Sequence, residues 1–218
     1  LDNEPGRIFF EQLKPFGLTG VTFWETGFKQ FSANREIKYP KDFMGLKIGD
    51  VKGRIVMDQF KALGALPLTI DLDEIYQALK LGVIDGTEGT LSSIYDMKFH
   101  EVQSHITISN HAYVAHVFCF STKKLESLPS DIRELLVSTA REVTSFERRE
   151  VIITERRILK TIQEAGVTIH FLSQEERDRF RKATDHIIKE SKEVIGIDIL
   201  DKTTELLKNI TTAKELKF

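Results

Sequence analysis

The sequence predicts an α/β protein of two lobes, and three observations predict it. Short apolar runs alternate with helical patterns from about residue 46 to residue 120. Tyr113 to Phe120 is apolar at nearly every position, as in a central strand covered on both faces. Pro129 to Gly166 carries an amphipathic stripe too long for one small lobe.

The elements follow from local chemistry. Pro5-Gly6 leads into Ile8, Phe9, Phe10 and Leu13 at helical spacing, and Pro15 and Gly17 end that helix. The opening residues read like the interior of a domain, as if the chain began after processing or truncation. Val21 to Trp24 predicts a short strand, Gly27 to Gln30 a loop, and Phe31 to Ala33 an extended stretch. Asp42 to Gly49 reads as a turn into a short buried strand. Val56, Phe60 and Leu63 share a helical face, with Gly64 at the C-cap. After a strand at Leu66 to Ile70, Asp71 and Glu74 fit a capping box on a helix that runs to Gly82. Val83 to Gly86 is then a short strand and turn, Leu91 to Phe99 a helix, and Glu101 to Ser109 extended.

Unbroken, the Pro129–Gly166 stripe makes a helix of about 35 residues and about 50 Å. The alternative is two helices bent at the β-branched run Val151-Ile152-Ile153. Val167 to Leu172 predicts a strand. Ser173 to Glu176 is a second capping box for a helix to about Val194, and Ile199 to Ile210 is a last amphipathic helix.

Composition removes several function classes. The chain has 218 residues, 41% hydrophobic and 29% charged, with 31 Lys plus Arg against 33 Asp plus Glu. That is an ordinary globular balance and not that of a nucleic-acid binder. No apolar run reaches the roughly 20 residues that span a bilayer. The single cysteine, Cys119, is expected to be a small buried hydrophobe.

Candidate chemistry is sparse. His100, His105, His111 and His116 are spaced by 5, 6 and 5, which suits no metal site. Asp71, Asp73, Glu74, Asp85 and Glu88 offer carboxylates for acid–base work, but capping and exposure account for the first three. Phosphate loops, nucleophile elbows and helical metal-binding His pairs are missing, and no cofactor is implied. The informative cluster is Gly82-Val83-Ile84-Asp85-Gly86-Thr87-Glu88-Gly89-Thr90. It reads as a tight turn, or as a glycine-opened approach to a ligand.

Asp71 to Leu79 followed by Gly82 to Glu88, with Lys98 to Gln103 and Ser109-Asn110-His111, strongly resembles the tripartite ATP-independent periplasmic (TRAP) solute-binding proteins. Phe23 to Gln30 and Asp42 to Ile48 are similar to the DctP-like, C4-dicarboxylate branch, as are Gly64-Ala65 and Leu128-Pro129. The likeness covers most of residues 7–165. It implies a two-lobed periplasmic-binding-protein-like fold with a long helix crossing both lobes and the first lobe incomplete. On that plan residues 1–30 are a returning segment of lobe one and 31–111 are lobe two. Residues 112–166 are a strand and the interlobe helix, and 167–218 the C-terminal strand and helices.

The resemblance also implies an exported, periplasmic or extracytoplasmic protein. It would take a small organic acid, close on it, and pass it to TRAP membrane permease subunits, with no enzymatic step. Carried over by position, the ligand-binding residues are Lys29, Gly49, Gly53, Leu72, Glu88, Gly89 and His111. Two depart from the family pattern: Gly49 stands where the family has a carboxylate-binding arginine, and Gly89 where it has an asparagine. Lys29 is then the surviving cation, with Glu88 as its partner and His111 lining the pocket. Leu72 takes a position that is often aromatic. Lys52 and Arg54, beside Gly53, are possible substitutes or plain surface charge. Three functions follow from this pattern: an organic-acid binder with compensating cations, a member with altered or lost carboxylate binding acting as a sensor or partner module, and an unrelated α/β enzyme. The first expects Gly49→Arg to raise affinity for dicarboxylates.

Overall fold

The computed structural model describes residues 1–50 and 53–215. Its elements in chain order are α1 (Glu4–Leu13), β1 (Leu18–Ala33), β2 (Lys47–Asp50), α2 (Arg54–Ala62), β3 (Leu66–Thr69), α3 (Ile75–Lys80), β4 (Gly86–Thr90) and α4 (Leu91–Asp96). Then come β5 (His105–Ser121), α5 (Thr122–Glu126), α6 (Ser130–Glu142), α7 (Thr144–Glu164), β6 (Thr168–Phe171), α8 (Gln174–Glu190), α9 (Lys192–Ile195) and α10 (Ile197–Glu215). Among the described residues no helix is long and apolar enough to cross a membrane.

The strands order as β3-β2-β4-β1-β5-β6. β2 pairs in parallel with β3 and β4, β4 antiparallel with β1, and β5 in parallel with β6. The chain divides into two compact units. One comprises Leu1–Glu25, Ala115–Arg149 and Glu190–Phe218; the other comprises Thr26–Val114 and Glu150–Lys189.

The second unit is a three-layer sandwich. Side chains alternate along each strand, so each strand feeds both faces. Ile106 and Ile108 join Ile84, Ile94, Ile158 and Ile162 in a core under α3, α4 and α7. Phe31, Ala33 and Ile48 join Phe43, Phe60, Leu63 and Phe180 in a second core under α2 and α8. Phe31 is the hub of that aromatic core, with its ring centroid 4.8 Å from Phe43, 6.2 Å from Phe60 and 5.8 Å from Phe180.

In the first unit, Phe10 stacks on Phe23 at 4.7 Å. Arg148 grips Asp2 with two guanidinium nitrogens, at 2.6 and 2.8 Å, and donates to the Phe23 carbonyl at 3.2 Å. The Thr122 amide donates to the Gly17 carbonyl at 2.8 Å, joining β1 to the end of β5.

Several expectations need correction. Gly27 to Gln30 is not a loop: it lies inside the 16-residue strand β1, which absorbs the left-handed Gly27 (φ 91°) without ending. The Asp71/Glu74 capping box does not form. Glu74 is the N-cap without a side-chain hydrogen bond, and the Asp71 carbonyl accepts from its amide at 2.9 Å. The Ser173/Glu176 box does form, with reciprocal bonds of 2.7 and 3.2 Å. The Pro129–Gly166 run breaks at Val143, not at the β-branched triplet. There the Thr144 hydroxyl takes the Ala140 carbonyl at 2.9 Å and also meets the Thr22 hydroxyl at 3.0 Å, a back-bonding pattern that bends helices.

Tyr113 to Phe120 is only half-buried. β6 covers β5 from His105 to Ile108 alone, so beyond Ile108 the strand lacks that neighbour. Cys119 lies in this stretch and is exposed, not buried.

Gly86 shows how tightly the strands approach. A Cβ there would sit 2.4 Å from the Ser32 carbonyl oxygen of the paired strand. Gly86→Ala is therefore expected to lower stability by about 1–3 kcal/mol, read as a lower denaturant midpoint in equilibrium unfolding.

Candidate functional site

The site grows out of the β1–β4 register. Phe31 stands opposite Glu88, so both side chains project on the face covered by α2 and α8. The Glu88 side chain is 2% exposed, and both of its oxygens are used. Oε1 receives the Lys29 ammonium, whose side chain remains 24% exposed. Oε2 accepts from His111 Nε2 at 2.7 Å. His111 Nδ1 lies 2.6 Å from the Ser109 hydroxyl. The imidazole lies flat on Phe31, with centroids 4.0 Å apart and planes 11° from parallel. That stacking fixes the ring plane and so aims Nε2 at the carboxylate.

A kink in β5 sets up this geometry. Asn110 adopts a left-handed conformation (φ 49°) between Ser109 and His111. Buried Gln30 pins the kink. Its Oε1 accepts from the Ser109 and Asn110 amides at 2.9 and 3.0 Å, and its Nε2 donates to Asn110 Oδ1 at 2.8 Å. A left-handed non-glycine residue is costly, and these bonds offset the cost.

The electrostatics follow from burial and pairing. Burial pushes the Glu88 carboxyl up. The hydrogen bond and charge of His111, with the charge of Lys29, outweigh burial and hold the group below its ordinary value of 4.5. Glu88 is therefore a carboxylate at neutral pH, and Lys29 spends its charge on it.

A cavity of about 230 Å³ opens beside this network. Its walls come from three places. The sheet and the residue following β6 contribute Phe31, Glu88, Ser109, Asn110, His111 and Leu172; α2 with its C-cap contributes Gln59, Phe60 and Leu63; and α8 contributes Arg177, Phe180, Arg181, Thr184 and Ile188. The α8 residues recur at helical spacing on one stripe.

The structure thus brings Lys29, Glu88 and His111 together and places the other four elsewhere. A Cβ on Gly49 would meet Ile84 Cδ1 at 2.4 Å, and one on Gly89 would lie 3.5 Å from Ser93 Cβ and Ile94 Cγ1. Both positions face the isoleucine core, across the sheet from Glu88. An arginine introduced at 49 must displace Ile84. Leu72 is 51% exposed in the turn after β3. Gly53 is the extended N-cap of α2 (φ −153°). Arg54 is exposed, 3.7 Å from Asp58, as plain surface charge, and Lys52 lies outside the described residues. Asp85 does not act with Glu88; its Oδ2 accepts the Lys47 amide at 2.8 Å.

Sequence reasoning missed Gln30, Gln59, Ser109 and Arg177. A signal existed for one of them: Arg177, Phe180, Arg181 and Thr184 repeat at i, i+3, i+4 and i+7. Nothing local marks Gln30 as the pin of the kink, because the partners it holds there lie about 80 residues away. The histidines scatter: His100 stacks on Tyr95 at 5.0 Å and His105 meets the Ser104 hydroxyl at 2.8 Å. Among the described residues no group of three or more His, Cys, Asp or Glu could hold a metal ion.

Removing the Glu88 charge strands Lys29 and His111. Glu88→Gln is expected to cost about 3–5 kcal/mol at pH 7, measured by denaturant unfolding. The sign of the pH dependence follows from the lowered value. The contribution is full above pH 4.5 and is lost as pH falls through the lower folded value. The wild-type stability curve should therefore fall more steeply than the variant's below pH 4.5. Parallel curves would show that Glu88 is not the titrating group.

Known proteins carry the same framework. Residues 1–193 match the family described as bacterial extracellular solute-binding protein, family 7 (DctP). The C4-dicarboxylate-binding periplasmic protein DctP of Rhodobacter capsulatus is 34% identical over 198 residues, which is 90% of this chain and 60% of that protein. The TRAP periplasmic solute-binding protein of Ochrobactrum anthropi superposes with a TM-score of 0.92 at 29% identity, over 100% of this chain and 69% of that one. That of Sulfurospirillum deleyianum, solved with bound succinate, gives 0.82 at 33% identity, over 94% and 68%. The chain thus spans 60% of the length of the Rhodobacter relative. With its family match across residues 1–193 and its framework shared with TRAP proteins, the chain belongs to family 7 of the bacterial extracellular solute-binding proteins.

Proposed function

We propose that this protein is a periplasmic or extracytoplasmic solute-binding protein that captures a small organic acid and delivers it to the membrane permease of a TRAP transporter. One observation carries it: Glu88 and His111 of the Lys29–Glu88–His111 network line a small cavity in a chain of this family. Two relatives point to the acid class. The Rhodobacter protein is named for C4-dicarboxylates, and the Sulfurospirillum protein was solved with succinate. The network prepares an oriented polar wall rather than a reacting group. His111 holds its plane on Phe31, and Glu88 holds Lys29 at the sheet surface. Binding, not turnover, is what such an arrangement supports.

A second reading has its own support. Gly49 and Gly89 present no polar side chain, which favours altered or lost carboxylate binding in a sensor or partner module. Losing one charged hydrogen bond to a ligand weakens binding by about 1.5–3 kcal/mol.

Thermal unfolding in the presence of succinate, malate and monocarboxylates separates the two. An acid at 100 times its dissociation constant should add about 2.7 kcal/mol of stability. Lys29→Ala should reduce acid affinity by roughly tenfold or more, because it leaves Glu88 as an unpaired anion on the cavity wall. An unmoved midpoint with every acid supports the second reading.

A further inference from the structure

The cavity beside Glu88 holds more information than the inherited site. Lys29 and His111 both direct their polar atoms at Glu88, so that trio offers an entering anion little net attraction. Gly49 and Gly89 face the opposite side of the sheet. Arg177 differs. It lines the cavity from α8, is half-buried, and makes no side-chain ion pair or hydrogen bond among the described residues. Its neighbours on the helix are engaged: Arg181 lies 3.5 Å from Asp178, and Arg179 pairs with Glu175 at 2.7 Å. Across the cavity, Gln59 also presents an amide without a partner among the described residues.

Beyond these two and the polar Glu88, Ser109, Asn110, His111, Arg181 and Thr184, the wall is apolar. Phe31, Phe60, Leu63, Leu172, Phe180 and Ile188 enclose the space. Its size is about 230 Å³. An apolar cavity of about 150 Å³ holds a benzene ring, so this one has room for a ring and a carboxylate, roughly nine heavy atoms. One free guanidinium facing a mostly apolar wall suits one negative charge. A second carboxylate would have to desolvate against phenylalanine rings or compete with Asp178 for Arg181, the other arginine on the wall.

We propose that Arg177 is the carboxylate-pairing side chain of this cavity, and that the acid it takes carries a single carboxylate on an apolar, ring-sized body. This rests on the organic-acid reading above and narrows it. Arg177 presents a planar fork to both carboxylate oxygens, Gln59 contributes an amide donor, and the ring packs between Phe60 and Phe180.

Calorimetric titration of benzoate and succinate into the purified protein, Arg177→Gln, Arg177→Lys and the surface control Arg54→Gln tests it. The wild type should bind benzoate roughly tenfold or more tightly than succinate. Arg177→Gln should lose benzoate affinity by roughly 10- to 100-fold, the loss of a charged hydrogen-bonding partner. Arg177→Lys should fall between, since it keeps the charge and loses the fork. Arg54→Gln should match the wild type. Circular dichroism melting of each variant confirms that the helix is intact. Succinate binding that equals or exceeds benzoate overturns the ligand class. Benzoate binding unchanged in Arg177→Gln overturns the role of Arg177. Both results leave the organic-acid reading standing if any acid binds. Failure of every acid to bind the wild type removes that reading, and this proposal with it.

Discussion

A buried carboxylate shared between two bases organises the second unit. Glu88 sits in the middle of β4, 2% exposed, where an unpaired charge would be several kcal/mol too costly to keep. Its survival there requires Lys29 from β1 and His111 from β5, and so requires the register of three strands to be correct at once. A slip of one residue would turn Glu88 into the isoleucine core and leave both bases unpartnered. The aromatic core beneath reinforces the same register, because Phe31 both stacks on His111 and contacts Phe43, Phe60 and Phe180. Packing and electrostatics thus select one alignment for different physical reasons.

The glycines divide by what they approach. Gly86 lets β4 close on the Ser32 carbonyl, and Gly27 lets β1 pass through a left-handed residue without ending. Gly49 and Gly89 lie against isoleucine side chains on the far face. A glycine-rich stretch that reads as a ligand loop is therefore largely a strand, with every residue of β4 buried. The short side chains serve strand and helix packing as much as any bound solute. In consequence the polar wall of the cavity is supplied from β5 and α8 as well as from the motif-bearing segments.

Two helices and a kink position that wall. α8 starts on a reciprocal Ser173/Glu176 cap and presents Arg177, Phe180, Arg181 and Thr184 along one side. α2 supplies Gln59 and Phe60. The left-handed Asn110, pinned by Gln30, turns the strand so that Ser109 and His111 both serve the site. The cap is local, but the kink depends on contacts between segments about 80 residues apart.

The sequence by itself determined the α/β class, most element positions, the family, and the Lys29–Glu88 pairing with His111 nearby. The class and the elements rest on local periodicity and caps, which a linear chain displays directly; the family and the Lys29–Glu88 pairing rest on long contiguous motifs that resemble a known family. Only the tertiary structure decided which face each residue takes. It sent Gly49 and Gly89 away from Glu88, left Cys119 exposed on the part of β5 that β6 does not cover, and broke the long helix at Thr144, whose hydroxyl also meets Thr22. It also brought Arg177 to the cavity and Gln30 to the kink. Such outcomes depend on strand register and on partners up to about 150 residues apart, and a side chain's neighbours across a sheet leave no mark on the residues beside it in the chain.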